Sequence, residues 1–198
     1  MEDAQRVSAI IGDFPENVVV YCDANGGWNS QQALQFLRLT DHCEYILEQP
    51  CSTYAACRTV RQHCTHPMVL DESVDSLERL LQINHEDSAD GITIKLSRFG
   101  GITRSVLIRN LAVELGLQVT IEDTGGAEID TAAITHLCLS TPESSRTHTV
   151  DFHNWVTASH ATGIPPTVNG SISAPDAPGL GVSVDVSALG DPIFRVDQ

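Results

Sequence analysis

Two rhythms alternate along this chain. Short runs of apolar and β-branched residues, as in buried strands, are separated by longer stretches in which apolar residues recur every three or four positions, as on one face of a helix. Residues 2–12 read as a helix and Val18–Asp23 as a strand. "NSQQALQFLRLTDH" reads as a helix capped by Asn29 or Ser30. "EYILEQP" is a strand closed by Pro50, and "STYAACRTVRQHC" a helix capped by Ser52 or Thr53. "PMVLDES" and "DSLERLLQINHE" repeat the strand–helix pair. "DGITIKLS" is a strand, "GGITRSVLIRNLAVELG" a long helix with Gly116 at its C-cap. "LQVTIED" and "AEIDTAAITHLCLS" follow as strand and helix, and "RTHTVDF" supplies one more strand. The tail over 162–198 is rich in Pro, Gly and Ser and reads as an ordered, loop-like extension. Strands that alternate with helices predict an α/β fold with parallel strands and helical crossovers. No linker interrupts the body, so residues 1–198 read as one domain.

A carboxylate stands at the end of each of the first three strands: Asp23, Glu48 and Asp71. Lys95 ends the fourth. Successive members lie about 24 residues apart, one strand–helix unit each. Equivalent positions on neighbouring parallel strands share one end of the sheet, about 4.8 Å apart. Three acids so placed repel and desolvate one another, and a hard divalent cation relieves both costs. An all-oxygen donor set suits Mg²⁺ or Mn²⁺. Taken singly, each acid could equally cap a helix or join a salt bridge. Lys95 is the only lysine, and all other basic residues are arginines. After a buried apolar strand, it reads as a general base or as a structural ion-pair partner of one of the carboxylates.

Composition narrows the field. The net charge of −15 lacks the basic footprint of nucleic-acid binding. No apolar run reaches membrane-spanning length, and the acidic start "MEDAQRVSAI" is unlike a signal peptide. Six cysteines without a CxxC pair read as reduced core thiols of a cytoplasmic protein, and Cys57, Cys64 and His66 lack the second ligand pair of a zinc site. His153 and His160 read as structural. A flavodoxin-like binding domain would carry a glycine-rich phosphate loop after its first strand, and none is apparent.

The motifs "CDANGGW", "LEQP", "LDES" and "IKLSRFGG" together resemble the enolase superfamily, in its mandelate racemase/muconate lactonising enzyme branch. The resemblance runs from about Val18 to Gly190. The phrases "TIEDTGGAEIDTAAITHL" and "PGLGVSVDVSALG" look most like the subgroup of proline-type dehydratases and racemases or epimerases. The resemblance implies a C-terminal TIM (β/α)₈ barrel domain, a lyase or isomerase activity and a Mg²⁺ ion held by Asp23, Glu48 and Asp71. Lys95 would remove the α-proton of a small carboxylic acid through a metal-stabilised enediolate. Dehydration, racemisation or epimerisation would follow. Asn25 would bind the substrate carboxylate. Glu122, Asp123 or Asp151 would meet a substrate ammonium or serve as polar caps, and Glu72 would support the ligands.

The chain also departs from the family. Its six strands match family strands three to eight, a partial barrel without the N-terminal capping domain. The lysine pair of the family's second strand has no counterpart here. Such a chain is expected to be a fragment of a longer protein, a truncated product, or a homo-oligomer or other assembly that closes the barrel. The competing expectation to an enzyme is a non-catalytic remnant that binds a divalent metal or a partner segment.

Overall fold

The computed structural model describes residues 2–15 and 17–194. The chain divides into two compact units, Met1–Thr93 with Asn110–Val119, and Ile94–Arg109 with Thr120–Gln198. Helices and strands alternate throughout, and six strands follow one another in sequential order in one sheet. That order, each strand beside the next in the chain, is the connectivity of a (β/α)₈ barrel, of which six units are present.

The first unit opens with α1 (Glu2–Asp13), β1 (Tyr21–Asp23) and α2 (Ser30–Leu39). Asn29 caps α2 through a reciprocal exchange. Its side chain accepts from the Gln32 N–H, and the Gln32 side chain accepts from the Asn29 N–H, both at 2.9 Å. β2 (Ile46–Glu48), α3 (Tyr54–Arg61, capped by Thr53), β3 (Met68–Leu70) and α4 (Leu77–His85, capped by Ser76) follow. β4 (Gly91–Lys95) contributes its first three residues here. β1 to β4 pair in parallel, with Asp23 opposite Glu48, Glu48 opposite Val69, and Val69 opposite Gly91. Phe36, Leu47, Met68, Leu70, Leu80 and Ile92 are fully buried between strands and helices. Gly91 has a packing reason: a Cβ there would meet the Gln118 carbonyl oxygen at 3.0 Å and a Val69 methyl at 3.3 Å.

The first strand is shorter than its apolar run. Val18 is drawn into a turn by its N–H bond to the Pro15 oxygen, and Val19 is 70 % exposed. Pairing begins where the Ile46 N–H reaches the Val20 oxygen. A β-branched run supplies strand propensity, but only residues with a ladder partner become strand.

The second unit holds the end of β4, the one-turn helix α5 (Leu96–Phe99) and the first part of α6 (Ile102–Glu114). The sequence reads the stretch from Gly100 as one helix; the structure adds α5 before it. Gly100 (φ 81°) and Gly101 (φ 110°) take left-handed backbone that separates the two. β5 (Gln118–Glu122), α7 (Glu128–Leu139), β6 (Arg146–Thr149) and a 3₁₀ turn (Phe152–Asn154) complete the series. Arg109, almost fully buried, ties α6 to the end of α7 through the Leu137 oxygen and the hydroxyls of Ser140 and Thr141. The tail carries a small antiparallel pair, β7 (Ala161–Thr162) with β8 (Ser183–Val184). The His153 and His160 backbone N–H groups bond Thr131 and Glu128, in keeping with structural roles.

Among the described residues, no helix is long and apolar enough to cross a membrane. The six cysteines are free thiols, and five are buried. Burial first, with Cys43 nearby, pushes the Cys22 thiol up to about 11, and burial likewise takes Cys57 to about 11. These are protonated core thiols.

His66 stacks on the Tyr45 ring at 4.1 Å. Burial disfavours its charged form and lowers its pKa from 6.5, with Asp41 partly opposing. A depressed histidine contributes stability that is present above 6.5 and lost as pH falls through 6.5 towards the folded value. Chemical denaturation from pH 7.5 to pH 5 should show a loss of stability that the stacking-competent variant His66→Phe lacks in part; identical pH profiles would contradict it.

Candidate active site

In the first unit the strand ends gather acids. Asp23 and Glu48 are register partners at the ends of β1 and β2. Glu48 also pairs with Val69, and Asp71 lies two residues further on, just past the end of β3 at Leu70. Glu48 is 7 % and Asp71 2 % exposed, whereas Asp23 is exposed. Thr93, on β4, reaches Glu48: its hydroxyl donates to Glu48 Oε1 at 2.7 Å. Buried carboxylates persist when hydrogen-bonded.

Asp23 is held by Asn25, which the sequence reading assigns to the substrate. The Asn25 backbone N–H donates to Oδ1 and its side-chain amide to Oδ2, both at 2.8 Å. This turn needs a left-handed Asn25 (φ 47°), a conformation asparagine tolerates. Glu72 is exposed. Gln49 contacts the Asp71 backbone: its Oε1 accepts the Asp71 N–H at 2.9 Å. Neither Gln49 nor Thr93 was singled out by the sequence. Gln49 follows Glu48 in "LEQP" and Thr93 stands two before Lys95, so position beside the acids was the available signal.

Among the described residues, no three His, Cys, Asp or Glu side chains close into a metal-holding group. The chemistry of the donors nevertheless fits a hard cation. The three acids supply only oxygen, and each carboxylate oxygen has two lone pairs, so one carboxylate can accept a hydrogen bond and ligate a metal together.

In the second unit, Lys95 Nζ lies 3.1 Å from Glu122 Oε1, with both side chains largely buried. The lysine thus has an ion-pair partner, on β5. Asp123 accepts the Ser97 N–H at 2.9 Å and the Thr124 N–H at 2.8 Å, and is also bonded by the Ser97 hydroxyl. It anchors the start of α5, directly after Lys95. Asp151 accepts from the Thr167 hydroxyl at 2.6 Å and from Asn154 at 2.7 Å. The Thr167 bond, opposed by burial and aided by Asn154, holds its carboxyl below the usual range.

The motif set and the strand order point one way, and comparison with known proteins decides it. The family model "Enolase C-terminal domain-like" matches residues 1–188. This chain belongs to that family. Cis-3-hydroxy-L-proline dehydratase of Roseibium aggregatum is 36 % identical over 194 residues, covering 98 % of this chain and 53 % of that protein. The crystal structure of a mandelate racemase/muconate lactonizing enzyme from Roseovarius nubinhibens ISM superposes with a TM-score of 0.93 at 35 % identity, over 98 % of this chain and 52 % of the other. A member of the enolase superfamily from the same organism, complexed with magnesium, gives a TM-score of 0.89 at 34 % identity, over 99 % and 53 %. The enolase-family chain described here therefore spans about half the length of these relatives.

Replacing Thr93 by near-isosteric valine removes a donor from the buried Glu48 carboxylate. Urea denaturation should show a loss of about 1.5–3 kcal/mol, the range for a hydrogen bond to a charged group. An unchanged midpoint would show that the bond does not hold Glu48.

Proposed function

We propose that this chain is the barrel portion of an enolase-superfamily enzyme that removes the α-proton of a small carboxylic acid, a proline-like amino acid or one closely related. One observation carries the reading. Asp23, Glu48, Asp71 and Lys95 stand at the C-terminal ends of four successive strands, in a chain 36 % identical to a cis-3-hydroxy-L-proline dehydratase. Residues 1–198 form its single barrel domain, with 162–198 as the loop-rich extension.

Asp23, Glu48 and Asp71 would hold Mg²⁺ or Mn²⁺. A divalent cation bound there supplies Lewis acidity toward a substrate carboxylate, which makes the neighbouring α-proton more acidic. Lys95 would accept that proton at Nζ once its ammonium has given one up: the C–H bond breaks, an N–H bond forms, and the electron pair stays on the substrate. Glu122, 3.1 Å away, holds Nζ in place and stabilises the ammonium once formed. Asn25 orients Asp23 and lies where a substrate carboxylate would approach that residue. Glu122, Asp123 or Asp151 would meet a substrate ammonium, and Glu72, next to Asp71 in the chain, would support the ligands. Return of the proton to the other face gives racemisation or epimerisation; its delivery to a departing β-hydroxyl gives dehydration. The one lysine of this chain serves one face.

The test is exchange of the α-proton of proline and cis-3-hydroxy-L-proline in D₂O, followed by proton NMR. Exchange should need both Mg²⁺ and Lys95, and Lys95→Ala should slow it by about 10²–10⁴-fold, the usual contribution of a general base. Exchange that persists in Lys95→Ala would assign the base elsewhere. Tight Mg²⁺ binding without any exchange would make the chain a non-catalytic metal-binding remnant and overturn the enzymatic reading.

A further inference from the structure

We infer that Gln49 is a positioning residue that sets the spacing of Asp23, Glu48 and Asp71, and with it the affinity of their site for a divalent cation; this rests on the metal-binding reading above. Gln49 is fully buried, yet polar, and its backbone is left-handed (φ 33°) although it is not glycine. A non-glycine residue holds that conformation only when its surroundings over-determine it. Here they do so at every polar atom. The Gln49 N–H donates to the Val69 oxygen at 3.0 Å, joining β3. Its carbonyl accepts the Gly26 N–H at 2.8 Å, from the loop that follows Asp23. Its side-chain oxygen accepts the N–H groups of Asp71 and Ser73, at 2.9 and 3.3 Å. Its side-chain nitrogen donates to the Cys51 oxygen at 2.8 Å and the Ser73 hydroxyl at 2.7 Å.

The three strand ends that bear the acids thus meet at one residue. Glu48 is its chain neighbour. Asp71 is bonded to its side chain through the backbone, and the Asp23 loop is bonded to its carbonyl. The left-handed turn at Gln49 brings this amide into bonding reach of Asp71 and Ser73 directly after Glu48. No charge change is involved: the amide is neutral and saturated. Its effect on a cation is therefore geometric, as for groups that orient metal ligands without touching the metal.

The experiment compares the wild-type chain with Gln49→Leu, Gln49→Asn and, as a stability control, Arg61→Leu. Arg61 pairs with Asp90 at 2.5 and 2.8 Å, at the start of β4 and so at the opposite end of that strand. Mg²⁺ affinity is read by calorimetry, and backbone amide exchange by NMR, at a temperature where all four chains are folded. The Gln49 variants should bind Mg²⁺ at least tenfold more weakly, the lower end of the range for residues that orient ligands. Their Asp71 and Ser73 amides should exchange faster. Arg61→Leu should lose thermal stability with its Mg²⁺ affinity within twofold of wild type. Unchanged affinity in both Gln49 variants, or equal weakening in Arg61→Leu, would overturn the positioning role. A wild-type chain that binds no Mg²⁺ would overturn the proposed metal site instead. In that case unchanged exchange at Asp71 and Ser73 would still refute Gln49 as the anchor of these loops.

Discussion

Parallel strands in register bring like charges to one end of a sheet, and that constraint organises this chain. Asp23 and Glu48 are opposite one another, and Asp71 stands one alternation step beyond the partner of Glu48. Two of these acids are nearly removed from solvent. Each buried carboxylate is costly without a donor, and each neighbour of the same sign adds to the cost. Such a cluster persists when hydrogen-bond donors brace it and when a cation neutralises it. Thr93 and Asn25 donate to the Glu48 and Asp23 carboxylates, and Gln49 accepts the Asp71 backbone N–H.

The second unit handles its charges by pairing. Lys95 and Glu122 neutralise one another in a partly buried setting, and Asp123 fixes the turn of helix that begins just after Lys95. The lysine is therefore held at both sides of its position, by an ion pair and by a backbone anchor. A base that must meet a C–H bond at close range benefits from such restraint, because misplacement of reacting groups is costly in rate.

Much of this was legible in the sequence. The alternation of strand and helix and the acids at the strand ends follow from periodicity and from acidic residues recurring at one place in each unit, and the partial barrel was implied by the family resemblance of the motifs. Caps were legible too: Asn29 and Thr53 cap α2 and α3 because their short oxygen-bearing side chains reach the first free N–H groups. What escaped depends on tertiary partners. Val18 and Val19 have the propensity of a strand but no ladder neighbour. α5 is a single turn, too short to show a period. Gln49 looks like any polar residue until its left-handed backbone turns it inward, and the partner of Lys95 comes from the next strand, where sequence offers Glu122 and Asp123 and no way to choose between them.

The central claim is that Asp23, Glu48 and Asp71 share one divalent cation. A crystal structure of the chain grown with Mn²⁺, read by anomalous scattering, tests it most directly. The account predicts one manganese per chain bonded to oxygens of all three side chains. Manganese bound elsewhere, or to none of the three, would contradict it.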